Sequence, residues 1–177
     1  MNPPERIETQ RLILCKPLME DARAIFETWA QDPEVTRTMT WHPHEDIDVT
    51  RSVLRRMIDA WEHRTRFPYM ILERESNRAA GMIEIRVEGH KAELGYVLAR
   101  MYWNKGYMTE AARALRDWAF QQAEIYRVYA TTSVDNIGSQ RVMEKIGMTR
   151  EGLMRRHIIH PNVSDVPVDS YLYAIVR

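Results

Sequence analysis

The stretch Leu94-Gly-Tyr-Val-Leu-Ala-Arg-Met-Tyr-Trp-Asn-Lys-Gly-Tyr-Met-Thr-Glu-Ala-Ala reads as a strand that runs through a short turn into a helix. Such a turn aims several unpaired backbone N–H groups at one spot, and the helix macrodipole adds partial positive charge there. The combination seats a phosphate or pyrophosphate. Gly106 stands where the turn must tighten, and Lys105 is placed to approach the same anion. Two familiar phosphate patterns are missing. No Gly-x-x-x-x-Gly-Lys-Ser/Thr run is present, which removes a Walker-type nucleotide hydrolase, and no Gly-x-Gly-x-x-Gly run, which removes the usual dinucleotide fingerprint. A tight turn without a ligand is the plainer reading of Gly106.

A second cluster runs from Asp135 to Met148. Asp135 and Asn136 suit a helix N-cap, and Ser139 lies one turn from Asn136 on the same face, so both side chains can meet one ligand. Capping alone would also account for Asn136. The strand before it has a parallel-sheet composition, and ligands of open sheets lie beyond the carboxyl ends of such strands. Two helix starts would then flank one cleft.

The elements that must hold these residues follow from periodicity. Residues 9–15 form a first strand. A helix from Glu20 carries Ala22, Ile25, Phe26 and Trp29 and ends at Asp32-Pro33, and a second starts at an Asp48 cap. Three strands at 67–74, 80–87 and 92–99 are joined by short polar breaks, as in an antiparallel meander. A helix over 109–123, a strand over 127–134, a helix over 135–146 closed by Gly147, a short strand near 148–151 and a last strand over 170–176 complete a mixed sheet covered by helices. No linker or repeat interrupts residues 1–177, so one domain is expected.

Composition narrows the function. The 177 residues are 45% hydrophobic, enough for a full core, and 25 basic side chains balance 25 acidic ones. That balance argues against a general nucleic-acid binder or a protein held on anionic lipid. Cys15 is the only cysteine and cannot pair within the chain. The six histidines, including His42 with His44 and His157 with His160, lack a Cys/His/carboxylate constellation and are expected on the surface, with no metal. The N-terminus has no secretory pattern, and no window is apolar enough to span a membrane, so a cytoplasmic protein is expected.

The run Tyr102-Trp-Asn-Lys-Gly-Tyr-Met-Thr-Glu-Ala111 resembles the acetyl-CoA pyrophosphate loop of the GCN5-related N-acetyltransferase superfamily. Asn136-x-x-Ser139 followed by Glu144-Lys145-x-Gly147-Met148 is similar to its second signature. Both resemble most closely the branch of the ribosomal-protein N-terminal acetyltransferases, as do Thr9-x-Arg11-Leu12-x-Leu14 and Gly152-Leu153-Met154-Arg155. The family's loop usually reads Gln/Arg-x-x-Gly-x-Gly/Ala; here Trp103 holds the first position and Met108 the last, where the flexible methionine side chain can turn into the core.

The resemblance implies an α/β (α+β) fold with a mostly antiparallel sheet of six or seven strands, about four helices and a splayed-strand acetyl-CoA cleft. It implies direct acetyl transfer from acetyl-CoA to a primary amine, on a protein N-terminus or a small molecule, by a monomer or a homodimer. The amides of Lys105, Gly106, Tyr107, Met108 and Thr109 would hold pyrophosphate. Val97 and Leu98 would pair with pantetheine and offer an N–H to the thioester oxygen. Glu93, on the strand entering the loop and on one face with Gly95 and Val97, is the candidate general base, with Asp169 a weaker rival given to a structural hydrogen bond. Ser139 would supply a hydrogen bond to the leaving thiolate, with Asn136 orienting it or bonding the pantetheine. Residues 40–43 and 155–157 fall where the family shapes its acceptor site. The alternative from another class is a non-catalytic acyl-CoA-binding or scaffolding protein.

Overall fold

The computed structural model describes residues 3–177. The expected first strand is divided into β1 (Arg6–Glu8) and β2 (Leu12–Cys15). Thr9 makes the division, because its hydroxyl accepts from the Leu12 N–H at 3.0 Å and closes a turn between the two. After a single 3-10 turn come α1 (Ala22–Ile25) and a wider π turn, Phe26–Ala30, which places Trp29 in the core. Asp32 does not only stop that segment. It caps α2 (Pro33–Thr36) by accepting from Glu34 N–H at 2.9 Å, with Pro33 in the first turn where its missing donor is harmless. The cap of α3 (Ile47–Glu62) is Asp46, two residues before the expected Asp48, and it accepts from the N–H groups of Asp48 and Val49.

The meander follows as β3 (Phe67–Glu73), β4 (Ala79–Glu88) and β5 (Lys91–Leu98). Beyond the turn lie α4 (Tyr107–Gln121), β6 (Arg127–Ser133), α5 (Ile137–Lys145), β7 (Thr149–Ile158) and β8 (Val168–Val176). Among the described residues this makes eight strands and five helices, against the six or seven and about four expected. The surplus strand comes from the divided N-terminal segment, and the surplus helix is α2. The short strand expected near 148–151 is a ten-residue edge strand exposed along most of its length, so no alternation of apolar residues marks its extent. No helix among the described residues is long and apolar enough to cross a membrane.

One sheet runs in the order β1-β2-β3-β4-β5-β6-β8-β7, and every neighbouring pair is antiparallel except β5 with β6. That parallel pair is the feature that matters. It joins only Lys91, Ala92 and Glu93 to Arg127, Val128 and Tyr129, after which both strands continue unpaired with each other. The sheet is closed at one end of this pair and open at the other.

The other edge of β5 is held tightly by β4 through a continuous register from Glu88↔Lys91 to Gly81↔Leu98. Gly81 permits the closeness, since a Cβ there would stand 2.3 Å from the Val97 carbonyl oxygen and 2.9 Å from Leu98 Cα, both backbone atoms that cannot swing away. Gly81→Ala is therefore expected to push β4 from β5 and cost about 1–3 kcal/mol, the usual range for overpacking. Thermal unfolding checks the loss, and an unchanged midpoint would contradict this account of the strand contact.

Candidate functional site

The turn between β5 and α4 is built by two residues in the left-handed region, Asn104 at φ 60° and Gly106 at φ 78°, which reverse the chain within a few residues. The first main-chain bond of the helix runs from Glu110 N–H to Gly106 C=O at 3.0 Å. Among the described residues the N–H groups of Lys105, Gly106, Tyr107, Met108 and Thr109 have no hydrogen-bond acceptor, so five donors precede the first closed turn. Met108 is buried in the core with Ala111, Ala112 and Leu115 rather than standing over those donors. The Lys105 ammonium lies 5.6 Å from the centre of the Tyr102 ring, which in turn stacks on Tyr107. Arg113, which the sequence reading did not single out, and Lys145 of the second signature join Arg11, Gly106, Thr109 and Glu110 around a hollow of about 420 Å³.

A bracket from the N-terminus braces this turn. Both oxygens of Glu110 are engaged: Oε1 accepts from the Thr9 hydroxyl at 2.7 Å and the Arg11 N–H at 2.8 Å, and Oε2 from Arg11 Nε at 2.7 Å. Arg11 Nη1 donates to the Lys105 carbonyl at 2.9 Å, and its guanidinium lies 4.7 Å from the Tyr107 ring centre. One arginine thus ties the β1–β2 turn to the helix start and to the residue before Gly106. Burial pushes the Glu110 carboxyl up, but the hydrogen bonds from Thr9 and Arg11 and the adjacent guanidinium outweigh it and hold it below the usual range.

The second helix start faces the same opening. Asn136 caps α5 by accepting from Ser139 N–H at 3.1 Å, and its amide donates to Thr38 Oγ1 at 3.0 Å, reaching the α2–α3 connection. Ser139 Oγ is 2.8 Å from the Tyr96 hydroxyl. Burial raises the Tyr96 phenol to about 12, against the pull of the Ser139 hydrogen bond, so it stays protonated at neutral pH.

That contact fixes the faces of β5. Tyr96 turns toward α5, so by strand alternation Glu93, Gly95 and Val97 turn to the opposite face. Main-chain parity is fixed as well. Ala99 N–H donates to Ala80 C=O at 2.8 Å, and hydrogen-bonded pairs of an antiparallel ladder recur every second residue. Val97 therefore shares the edge turned to β4, while Tyr96 and Leu98 present their main chain to the opening; the Leu98 carbonyl accepts the Trp103 indole N–H at 2.8 Å. Glu93 pairs with Arg86 at 3.3 Å, and Arg86 also holds Glu84, which pairs with Arg66. Asp169 accepts from the Arg156 N–H at 2.9 Å, a structural bond between β7 and β8.

A cavity of about 970 Å³ passes through the gap, and Glu93, Val97, Leu98, Gly106 to Thr109, Asn136 and Ser139 all line it. Trp41 and His157, from the two segments expected to shape an acceptor site, line it too. His44 and His160 depart from the expectation of surface histidines, being 8% and 5% exposed. Long-range packing of the loops that carry them has no local sequence signal. Among the described residues no group of three or more His, Cys, Asp or Glu could hold a metal ion.

The open sheet thus carries unengaged amides at a helix start with an unpaired strand edge beside them. The family model for the acetyltransferase (GNAT) domain matches residues 11–149, and the chain belongs to that family. It is 33% identical over 172 residues to the uncharacterized N-acetyltransferase YnaD of Bacillus subtilis (strain 168), covering 97% of this chain and 96% of the relative. Among solved structures, the microcin C7 self-immunity acetyltransferase MccE, in complex with acetyl-CoA and AMP, superimposes with a TM-score of 0.88 at 21% identity, over 99% of this chain and 98% of the other. The ribosomal L7/L12 alpha-N-protein acetyltransferase RimL, in complex with coenzyme A, gives 0.86 at 21% identity over 97% and 98%. The protein is a GNAT-family N-acetyltransferase by descent.

Glu110→Ala is expected to lower stability by about 1–2 kcal/mol at neutral pH, a range reduced for the partial exposure of Arg11. Because the folded carboxyl is held below its ordinary value of 4.5, the contribution is present above that value and lost as pH falls through the depressed one. Thermal midpoints of the two proteins should therefore converge in acid. A gap that stayed constant down to strongly acid pH would remove the bracket's ionic part.

Proposed function

We propose that the chain binds acetyl-CoA in the β5–β6 opening and transfers the acetyl group directly to a primary amine, without a metal. The observation that carries the reading is the pairing of five unengaged amides at Lys105–Thr109 with an unpaired β5 edge leading from them. The amides suit a diphosphate and the edge suits an extended amide-bearing arm, which adds to it as a strand would. Arg113 and Lys145 complement the anion's charge from the outer hollow. Bound acetyl-CoA would supply the activated acyl carbon.

The chain's own groups divide the remaining work. The Leu98 and Tyr96 main-chain groups, rather than those of Val97, are placed to pair with the arm and to stabilise negative charge on the thioester oxygen. Glu93 takes the proton released by the attacking amine, directly or through water, and Arg86, 3.3 Å away, keeps it oriented. Ser139, bonded to the protonated Tyr96, donates to the departing thiolate from the other face of β5. The gap in the sheet lets groups from both faces reach one bond.

For the acceptor, a protein N-terminal amine is the better-supported class. Its ordinary pKa near roughly 8 makes the neutral nucleophile cheaper to reach than for a lysine near roughly 10.4. The structurally similar RimL acts, by its name, on the α-amine of a ribosomal protein.

An acceptor screen read by acetyl mass shift and thiol release tests the activity. Tight acetyl-CoA binding with no acceptor-dependent release would favour a non-catalytic acyl-CoA binder. Gly106→Val, forced into a positive φ that a β-branched residue resists, is expected to weaken acetyl-CoA binding at least tenfold by calorimetry, a loss of about 1.4 kcal/mol or more. Unchanged affinity would sink the loop assignment. Ser139→Ala is expected to lower turnover by roughly tenfold to a thousandfold with little change in acetyl-CoA affinity, and Glu93→Gln to slow the reaction most at neutral pH and less in alkali. Equal loss of affinity and turnover in Ser139→Ala, or a full rate for Glu93→Gln at pH 7, would reassign those residues.

A further inference from the structure

Gly95 stands inside β5 with no backbone reason to be glycine. Its φ lies outside the left-handed region that Gly106 occupies. Close packing does not demand it either, as it does at Gly81. Among the described residues beyond its chain neighbours, a Cβ at position 95 would meet only Arg86 Nη2 at 3.7 Å, which is ordinary contact. A glycine inside a strand gives up side-chain packing and frees the unfolded chain, so it marks a bulge or a close approach by another backbone or a ligand. β5 carries no bulge there, since its register with β4 is continuous from Glu88↔Lys91 to Gly81↔Leu98. No other backbone comes close, and a ligand's approach is the reading left.

The empty space lies where an acceptor must pass. Gly95 is on the face of β5 that carries Glu93 and Val97, and it lines the cavity with them. On one side the recess is closed by β4: Glu84, the register partner of Gly95, is held by Arg66 and Arg86, and Met82 is the partner of Val97. On the other side β6 has already parted from β5, because their last pair is Glu93↔Tyr129. The recess therefore opens on the gap. An attacking nitrogen comes within roughly 3–3.5 Å of the acyl carbon, and a strand rises by roughly 3.3 Å per residue. With the thioester beside the Tyr96 and Leu98 main chain and the base at Glu93, an acceptor on this face lies across residue 95. The carbon that bears its amine comes over the missing side chain.

We infer that Gly95 is a specificity-determining residue, whose missing side chain makes room for a substituent on the carbon that bears the acceptor's amine. The class this selects is an α-substituted primary amine, such as a peptide N-terminus, whose amine carbon carries both a side chain and a carbonyl. An amine on an unbranched methylene, as in lysine or a polyamine, leaves the recess empty and gains nothing from it. The walls suit such a group. Met82 and Val97 offer apolar surface toward the acyl end, and the ion-paired Glu84 and Arg86 offer polar surface toward Glu93. The inference rests on the acetyl-transfer reading and adds to it which amines enter; proton removal stays with Glu93.

Gly95→Ala tests it, because the added methyl meets no atom closer than ordinary contact and so fills the recess without straining the strand. Its thermal midpoint should equal or exceed that of the wild type, since alanine at a compatible φ restricts the unfolded chain. Acetyl-CoA affinity by calorimetry should stay within about twofold. Thiol release with four amines then reads selectivity: the ratio of kcat/KM for alaninamide and phenylalaninamide over that for glycinamide and n-butylamine should fall roughly tenfold or more. Conjugates in which a –CH2–CO– unit joins the CoA sulfur to the nitrogen of phenylalaninamide or glycinamide make the same comparison without turnover. Gly95→Ala should weaken the first relative to the second by roughly tenfold. A lowered midpoint would make Gly95 a structural glycine and overturn the inference. So would a ratio left unchanged, whether both classes lose alike or neither loses. Acetyl-CoA that fails to bind the wild type would instead defeat the acetyl-transfer reading and the inference together, whereas normal acetyl-CoA binding with no discrimination between the amines defeats the inference alone.

Discussion

Strand β5 pairs with β6 for three residues and then leaves it, and the rest of the site depends on that departure. A sheet that stops pairing in its middle exposes main-chain donors and acceptors that folding would otherwise satisfy, so the strands must be held apart by something else. Several contacts do this. Tyr96 reaches across to Ser139 on α5, Asn136 ties the start of α5 to Thr38, and the Trp103 indole occupies the Leu98 carbonyl at the strand's end. On the far edge, Gly81 lets β4 hold β5 straight along its full length. The unpaired edge is thus a fixed surface rather than a frayed one, and an extended ligand arm can complete it.

The N-terminal bracket answers a related electrostatic difficulty. A carboxylate in the first turn of a helix gains from the macrodipole, and Glu110 stands in the first turn of α4. Left free, it would compete with an anionic ligand for the same amides. Thr9 and Arg11 draw both its oxygens to the β1–β2 turn, neutralise it, and leave the five N–H groups of the loop unengaged. Residues about a hundred positions away in sequence therefore keep the proposed anion seat clear of Glu110. This gives Thr9-x-Arg11 a physical role that its distance from the loop conceals.

Local patterns carried the turn, both helix starts and the meander, because each depends on residues close in sequence: a positive-φ glycine, an N-cap, an alternating run. What spacing could not supply were features decided by distant packing. Thr9 splits the first strand through a side-chain bond, and Phe26–Ala30 widens to a π turn where Trp29 enters the core. The edge strand β7 is exposed along most of its length and so lacks the alternation that would mark its length. His44 and His160 are buried by two loops that meet only in the folded chain, through Asn162. Arg113 and Lys145 reach the loop's outer hollow from separate helices; Arg113 lies in no recognisable run, and the second signature contains Lys145 without indicating that it meets the loop. The face on which Glu93 stands followed from alternation, but that Ser139 approaches from the opposite face required the Tyr96 contact to be seen.

Of the two departures from the family's loop, Met108 in place of a small residue bears on the kind of recognition proposed for this site. Its side chain is buried among Ala111, Ala112 and Leu115, so the bulk goes into the core and the amide stays on the outer side. Small residues there relieve crowding only if the side chain must face the ligand, and in this turn it does not. The demand on sequence falls instead on backbone geometry, met by Gly106 at φ 78° and by Asn104, a residue type that tolerates the left-handed region. A site that reads its ligand with main-chain N–H groups can change most of its side chains and keep its function, provided the residues that set φ and the ones that brace the turn remain. Gly106, Arg11 and Glu110 therefore matter more to the turn's shape, and so to the proposed anion seat, than Lys105, whose ammonium rests over the Tyr102 ring.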